Sequence, residues 1–130
     1  MTDGPLTTLG VDESRELLET ARVGHIAYHS RGGLDMTPVN YRLLGDTIFI
    51  RTGEMGTLAE GALGSKGVAF LVTYLDRLSQ TGWSVKVRGS LCRVDEAAMP
   101  PEMELDPWVG IHQAVLLGLA IEEMTGRRVG

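Results

Sequence analysis

Apolar and polar residues alternate along most of the chain with the period of two that is typical of β-strands. This alternation predicts strands over residues 23–30, 34–44, 47–52, 68–74 and 83–94, separated by turns that contain glycine. The run 68–74 is apolar almost throughout, which favours a central strand. Pro38 has no N–H to donate, so it predicts an edge, a bulge or an interrupted pairing within 34–44. Gly89 predicts a bend or a bulge within 83–94.

The last segment of the chain is ambiguous. Residues 113–119 are compatible with a helix, but Leu117, Leu119 and Ile121 alternate as residues of a strand would. We favour a strand that ends near Arg128.

Helical periodicity is limited to short stretches. Residues 11–22 and 56–63 predict brief helices, and residues 95–107 predict a short helix followed by a loop. The pattern as a whole predicts a mainly β chain with about six antiparallel strands and two or three short helices. Strands in hairpin succession suit a closed or nearly closed barrel.

Length and charge restrict the class of protein. The 130 residues fit one domain, 1–130, of which we expect residues 1–8 to be flexible. The net charge of −5 and the pI of about 5.1 argue against nucleic-acid binding and against an anionic membrane surface. A single cysteine, no apolar run of membrane length and no signal peptide favour a cytoplasmic protein.

Few residues suggest conventional side-chain catalysis or a metal site. Cys92 lies in a predicted strand and is expected to be a buried or half-buried structural thiol. His25 and His29 fall on one face of a strand with no supporting carboxylates, so we expect structural or surface histidines. The chain has no dinucleotide-binding or Walker-type glycine motif. We therefore assign no catalytic side chain and no metal.

The remaining candidates are distributed along the chain. Arg51 and Thr52 end an apolar strand, and a predicted helix start follows at Thr57. A guanidinium, hydroxyl groups and helix N–H groups are donors that suit a phosphate. Trp83 next to Ser84 adds a flat aromatic side chain beside a small hydroxyl. Together these parts suit a phosphorylated ring cofactor.

These residues belong to an ordered series of motifs: VGHIAY, PVNY, IFIRTGEMGTL, VAFLV, TGWSVKVRG, PW and MTGRRV. The series resembles the pyridoxamine 5′-phosphate oxidase-like family of FMN-binding split barrels, and most of all its small actinobacterial-type branch. The resemblance runs from about residue 9 to the end of the chain. It implies a six-stranded split β-barrel that forms a homodimer, with FMN in clefts between the subunits. It also implies a flavin-dependent oxidoreductase that acts on a small-molecule redox substrate.

The resemblance also implies which residues bind the cofactor. The strand that contains PVNY would run along the isoalloxazine edge, whereas Arg51 and Thr52 would reach the phosphate or the ribityl chain. Trp83 and Ser84 would approach the flavin from the partner chain. The full implied set is Pro38, Val39, Asn40, Tyr41, Ile50, Arg51, Thr52, Thr57, Leu58, Trp83, Ser84, Trp108 and Arg127.

One departure from the family pattern opens an alternative. Family members commonly have a phosphate-binding lysine where this chain has Thr57, and Lys66 would compensate only if its loop folds back. The alternative is a split-barrel dimer that has lost tight FMN binding. Such a protein would act as a ligand-binding protein, or would use a deazaflavin or haem in the same cleft.

Overall fold

The computed structural model describes residues 6–53, 56–61, 67–98 and 114–130. In chain order these residues form β1 (Leu6–Leu9), α1 (Val11–Thr20), β2 (Val23–Ser30), β3 (Gly33–Leu44), β4 (Thr47–Gly53), α2 (Thr57–Gly61), β5 (Val68–Asp76), β6 (Thr81–Val94), a 3₁₀ turn (Glu96–Ala98) and β7 (Ala114–Val129). The prediction of a mainly β chain with short helices is confirmed.

The strands form one antiparallel sheet that closes on itself. Their order is β1-β7-β4-β3-β2-β5-β6, and β6 pairs back onto β7 to complete the ring. β5 lies between β2 and β6, as its apolar run predicts. The register of β6 against β7 shifts between Arg88 and Gly89, which confirms the predicted irregularity at this glycine.

The structure resolves the ambiguity of the final segment and adds an unpredicted strand, β1, near the start of the chain. The final segment is a strand along its described length, so the strand interpretation of residues 113–119 is confirmed from Ala114 onward. β1 is a short seventh strand that the sequence does not predict, and it pairs with residues 126–129 of β7. Three of its four residues are exposed, so the segment carries no alternating pattern that would reveal a strand.

The core fills the interior of the ring, and α1 closes one end. Leu18 of α1 is fully buried against the strands. Tyr41 and Phe70 pack edge to face inside the ring, with ring centroids 5.0 Å apart and an interplanar angle of 82°. The largest fully buried side chains around them include Ile26, Ile48, Ile50, Val85, Val87, Leu117 and Leu119.

The ring opens along one seam. β3 pairs with β4 only between Tyr41 and Leu44, so residues 33–39 have β2 as their one strand neighbour within the described ranges. Pro38 lies in this stretch, which confirms that it occupies a strand edge. Leu34 and Met36 on the same edge are 77% and 64% exposed.

Two further predictions from the sequence concern the Cys92 side chain and membrane-spanning segments. Cys92 is exposed, so the prediction of a buried or half-buried thiol is wrong. Its neighbour Leu91 faces the core, and the alternation of β6 therefore turns Cys92 outward. In the part of the chain that the structure describes, no helix is long and apolar enough to cross a membrane.

Candidate functional site

The end of β4 carries Arg51 on the outer face of the ring. Ile50 is fully buried, so the alternation of the strand turns Arg51 away from the core, beside its cross-strand neighbour Leu116. Both terminal nitrogens of the guanidinium donate hydrogen bonds to Glu96: Nη1 to Oε1, and Nη2 to Oε2 at 2.9 Å. Hydrogen bonding from Arg51 lowers the pKa of the Glu96 carboxyl.

The hydroxyl groups of Thr52 and Thr57, which the sequence predicts to act with Arg51, have another orientation or another partner in the structure. Thr52 follows Arg51 in a strand, so their side chains lie on opposite faces of β4. The Thr57 hydroxyl shares a 2.6 Å hydrogen bond with the Tyr28 hydroxyl. Leu58 is buried in the core, where it anchors α2. Strand geometry therefore turns the Thr52 hydroxyl away from the Arg51 guanidinium, and the Thr57 hydroxyl is engaged by Tyr28.

The PVNY segment has two side chains in the core and one backbone amide that is already hydrogen-bonded within the chain. Val39 and Tyr41 point into the core, and the Tyr41 amide donates a 3.0 Å hydrogen bond to the carbonyl oxygen of Arg22. That amide is engaged within the chain and is not offered to a ring. Pro38 and Asn40 alternate with these residues along the edge of β3.

The start of β6 holds the aromatic part of the predicted site. Trp83 stacks on Tyr74, with ring centroids 6.4 Å apart and an interplanar angle of 25°. Trp83 pairs across the sheet with Arg128, and Ser84 pairs with Arg127. Tyr74, Trp83 and Arg128 help to line a cavity of about 270 Å³.

The predicted cofactor residues on β4 and on β6 lie opposite different parts of β7. Arg51 lies opposite Leu116, whereas Ser84 lies opposite Arg127, eleven residues further along the same strand. At about 3.3 Å per residue, this separation reaches roughly 36 Å of extended strand. Arg51 and the pair Ser84–Arg127 therefore lie at opposite ends of β7. Trp108, the other predicted member, lies outside the described residues, as does Lys66.

Glu96 is the site residue that sequence reasoning missed. The acidic residues around position 96 suggest only a solvated helix start, and Glu96 lies 45 residues from Arg51 in the chain. A local pattern carries no signal for such a contact.

The outer face also has a larger groove near the bulge of β7. It measures about 540 Å³, and small residues such as Ala27 and Ala69 form its floor. Arg88, Glu122 and Glu123 stand at one side. His29 contributes to the opposite side and is exposed, as is His25, so both histidines are surface residues as predicted. No group of three potential metal ligands occurs among the described residues.

The closed antiparallel ring with one opened seam defines a split β-barrel. The family model of the pyridoxamine 5′-phosphate oxidases matches residues 10–128, and the chain therefore belongs to that family. None of the curated proteins compared with this chain matches it.

Solved structures agree with the family assignment over nearly the whole chain. A candidate pyridoxamine 5′-phosphate oxidase from Corynebacterium glutamicum is 25% identical with a TM-score of 0.78, covering 99% of this chain and 97% of its own. The FAD binding protein from Mycobacterium smegmatis is 26% identical with a TM-score of 0.75, covering 97% and 100%. A conserved protein of unknown function from Corynebacterium diphtheriae is 25% identical with a TM-score of 0.79, covering 97% and 99%.

Proposed function

We propose that this chain forms a homodimer that binds FMN in clefts between its subunits and acts as a flavin-dependent oxidoreductase on a small-molecule substrate. The observation that carries the proposal is the distribution of the predicted cofactor residues at two distant positions of β7. In a symmetric dimer, Arg51 of one copy can meet Trp83, Ser84 and Arg127 of the other. A cleft of this kind is complete only when two chains are present.

The chemistry of Arg51 fits the phosphate of a flavin nucleotide. Its guanidinium already holds a carboxylate through two N–H groups, and a phosphate is the same kind of bidentate anionic partner. The Arg51 side chain is 20% exposed, so the sheet holds it in place with part of it at the surface. Arg51 would hold the phosphate, and the edge of β3 at Pro38 would lie along the ring.

The bound flavin would supply the redox chemistry, and the chain would bind and orient it. Support for a flavin comes from the Mycobacterium smegmatis relative, which is described as an FAD binding protein. Support for a dimer comes from Leu34 and Met36, which expose apolar surface on the open edge of β3. An unpaired strand edge with apolar side chains is a surface that a second chain can cover.

Flavin binding is tested by titrating the protein with FMN, FAD and riboflavin while flavin fluorescence and the melting temperature are recorded. We expect FMN to raise the melting temperature, because a ligand selective for the folded state stabilises that state. Replacing Arg51 with alanine should weaken FMN binding by about ten- to a hundredfold, since it removes a charged contact to the phosphate.

Arg31→Ala is the matched control for this variant. Arg31 also forms an ion pair with a glutamate, Glu60, at 3.0 Å, but its side chain is 91% exposed and it lies in the turn between β2 and β3. Its removal should leave FMN affinity unchanged. A well-folded protein whose melting temperature does not respond to any flavin would refute the proposal.

One observation favours a second candidate. The position where family members commonly have a lysine is occupied by Thr57, whose hydroxyl is engaged by Tyr28. A barrel without this charge would hold FMN weakly, and its cleft would take another ligand such as a deazaflavin or haem. The same titration with these ligands distinguishes the two candidates, because only one class should shift the melting temperature.

A further inference from the structure

We propose that Glu96 competes with the cofactor phosphate for Arg51, so that its carboxylate closes the phosphate site until a phosphorylated ligand displaces it. This inference rests on the proposed function. It assigns to Glu96 the role of an internal anion that occupies the edge of the Arg51 guanidinium that a phosphate would use.

The geometry of the pair supports competition. Glu96 contacts both terminal nitrogens of Arg51, and this edge of the guanidinium is one that binds phosphate oxygens in a bidentate manner. A phosphate cannot occupy that edge while the carboxylate is there. The ion pair also has no net charge, so the intact pair offers little attraction to an incoming anion.

The two partners differ in how firmly they are held. The Arg51 side chain is 20% exposed on a strand that pairs with β7, whereas the Glu96 side chain is 57% exposed in a single 3₁₀ turn. Glu96 is therefore the partner that can move away. Asp95 accepts a 3.1 Å hydrogen bond from the Ala97 amide, which orders the turn. The Glu96 carboxylate therefore stays near Arg51 and can re-form the ion pair when a ligand leaves.

Competition has a consequence for ligand choice. A flavin that carries a phosphate must displace Glu96 from Arg51. Riboflavin has no phosphate, so it can bind while the ion pair between Glu96 and Arg51 stays intact. A glutamate carboxyl is ionised at neutral pH in any case, and hydrogen bonding from Arg51 lowers the pKa of Glu96 further, so the competitor is present under ordinary conditions. Glu96 should therefore reduce the affinity for phosphorylated flavins selectively.

The test is Glu96→Gln in the full chain, with FMN and riboflavin affinities measured by quenching of flavin fluorescence. We expect FMN to bind up to about fivefold more tightly to the variant, since the neutral amide no longer neutralises Arg51. Riboflavin affinity should not change. Glu60→Gln is the control, because it removes a carboxylate from another exposed arginine pair and should alter neither affinity.

The other outcomes separate a failure of competition by Glu96 from a failure of the proposed function. If the wild-type chain binds FMN and Glu96→Gln binds it equally well, competition is refuted and the proposed function stands. If the variant binds FMN more weakly, Glu96 orients Arg51 for the phosphate, which also refutes competition. If neither folded protein, as judged by circular dichroism, binds FMN, the proposed function fails and this inference fails with it.

Discussion

The hydroxyl group of Tyr41 donates a 2.6 Å hydrogen bond to the carbonyl oxygen of Leu18, which ties β3 to α1 inside the barrel. The Leu18 carbonyl lies in the last turn of α1, where helix carbonyls lack an intrahelical partner. Tyr41 is almost completely buried, so no water replaces this contact. The bond satisfies a buried helix end and fixes how α1 closes the barrel.

Removing this hydroxyl should destabilise the fold. We expect Tyr41→Phe to lower the free energy of unfolding by about 1–3 kcal/mol, because the buried Leu18 carbonyl loses its partner. Urea denaturation followed by circular dichroism measures the change. Tyr74→Phe is the control, since Tyr74 is half exposed and should change stability by less than about 0.5 kcal/mol. Equal stability of the two variants would contradict the structural role of the bond.

The same residue predicts how stability depends on alkaline pH. Burial raises the pKa of Tyr41 above its ordinary value of 10.0, and the nearby charge of Arg22 only partly opposes this. Above pH 10 the unfolded chain releases the proton while the folded chain retains it, so stability falls as pH rises. The contribution is complete below pH 10.

Urea denaturation across this alkaline range checks the sign and the assignment. The wild-type chain should lose stability more steeply with pH than Tyr41→Phe, which has no phenol to titrate at this position. Parallel curves for the two proteins would show that another group causes the alkaline loss.

Close packing at Gly24 gives a second stability prediction. A methyl group built on Gly24 would lie 2.3 Å from the ring of Phe70, the side chain that packs against Tyr41. Gly24→Ala should therefore destabilise the chain by about 1–3 kcal/mol through overpacking. Thermal unfolding measures the loss. In Gly32→Ala the methyl group meets only the Ser30 hydroxyl, at 4.0 Å, so this control should melt close to the wild type.

A shared cleft predicts complementation between two binding-deficient variants. If Arg51 and Arg127 serve the same cleft from different subunits, Arg51→Ala and Arg127→Ala should each weaken FMN binding. Co-expression of the two variants should restore normal affinity in about a quarter of the sites, because each mixed dimer has one cleft with neither substitution. FMN titration of the co-expressed pair measures this fraction.

The alternative arrangement gives a different result. If both arginines act within one chain, every cleft in the mixture carries one substitution and no high-affinity sites appear. Sedimentation provides the accompanying check, since the proposed assembly has twice the 14.1 kDa mass of the chain. A stable monomer would remove the cleft altogether.

Local pattern was sufficient for most elements of the barrel. The alternation of Leu117 with Leu119 identified β7, and the missing N–H of Pro38 indicated an edge, a bulge or an interrupted pairing, because both signals depend only on neighbours in the chain. The same alternation could have placed Cys92 correctly. Lys86 and Arg88 already face outward on β6, and Cys92 continues their face, but the general tendency of cysteine towards burial suggested the opposite.

The sequence by itself determined where β2 to β7 lie and which face of these strands is apolar, since periodicity is a property of neighbouring residues. Only the tertiary structure decided that Glu96 contacts Arg51 and that Arg51 lies far from Arg127 along β7. Contacts between residues distant in the chain depend on strand register and on ring closure. These are fixed by the packing of the whole core, to which many residues contribute at once.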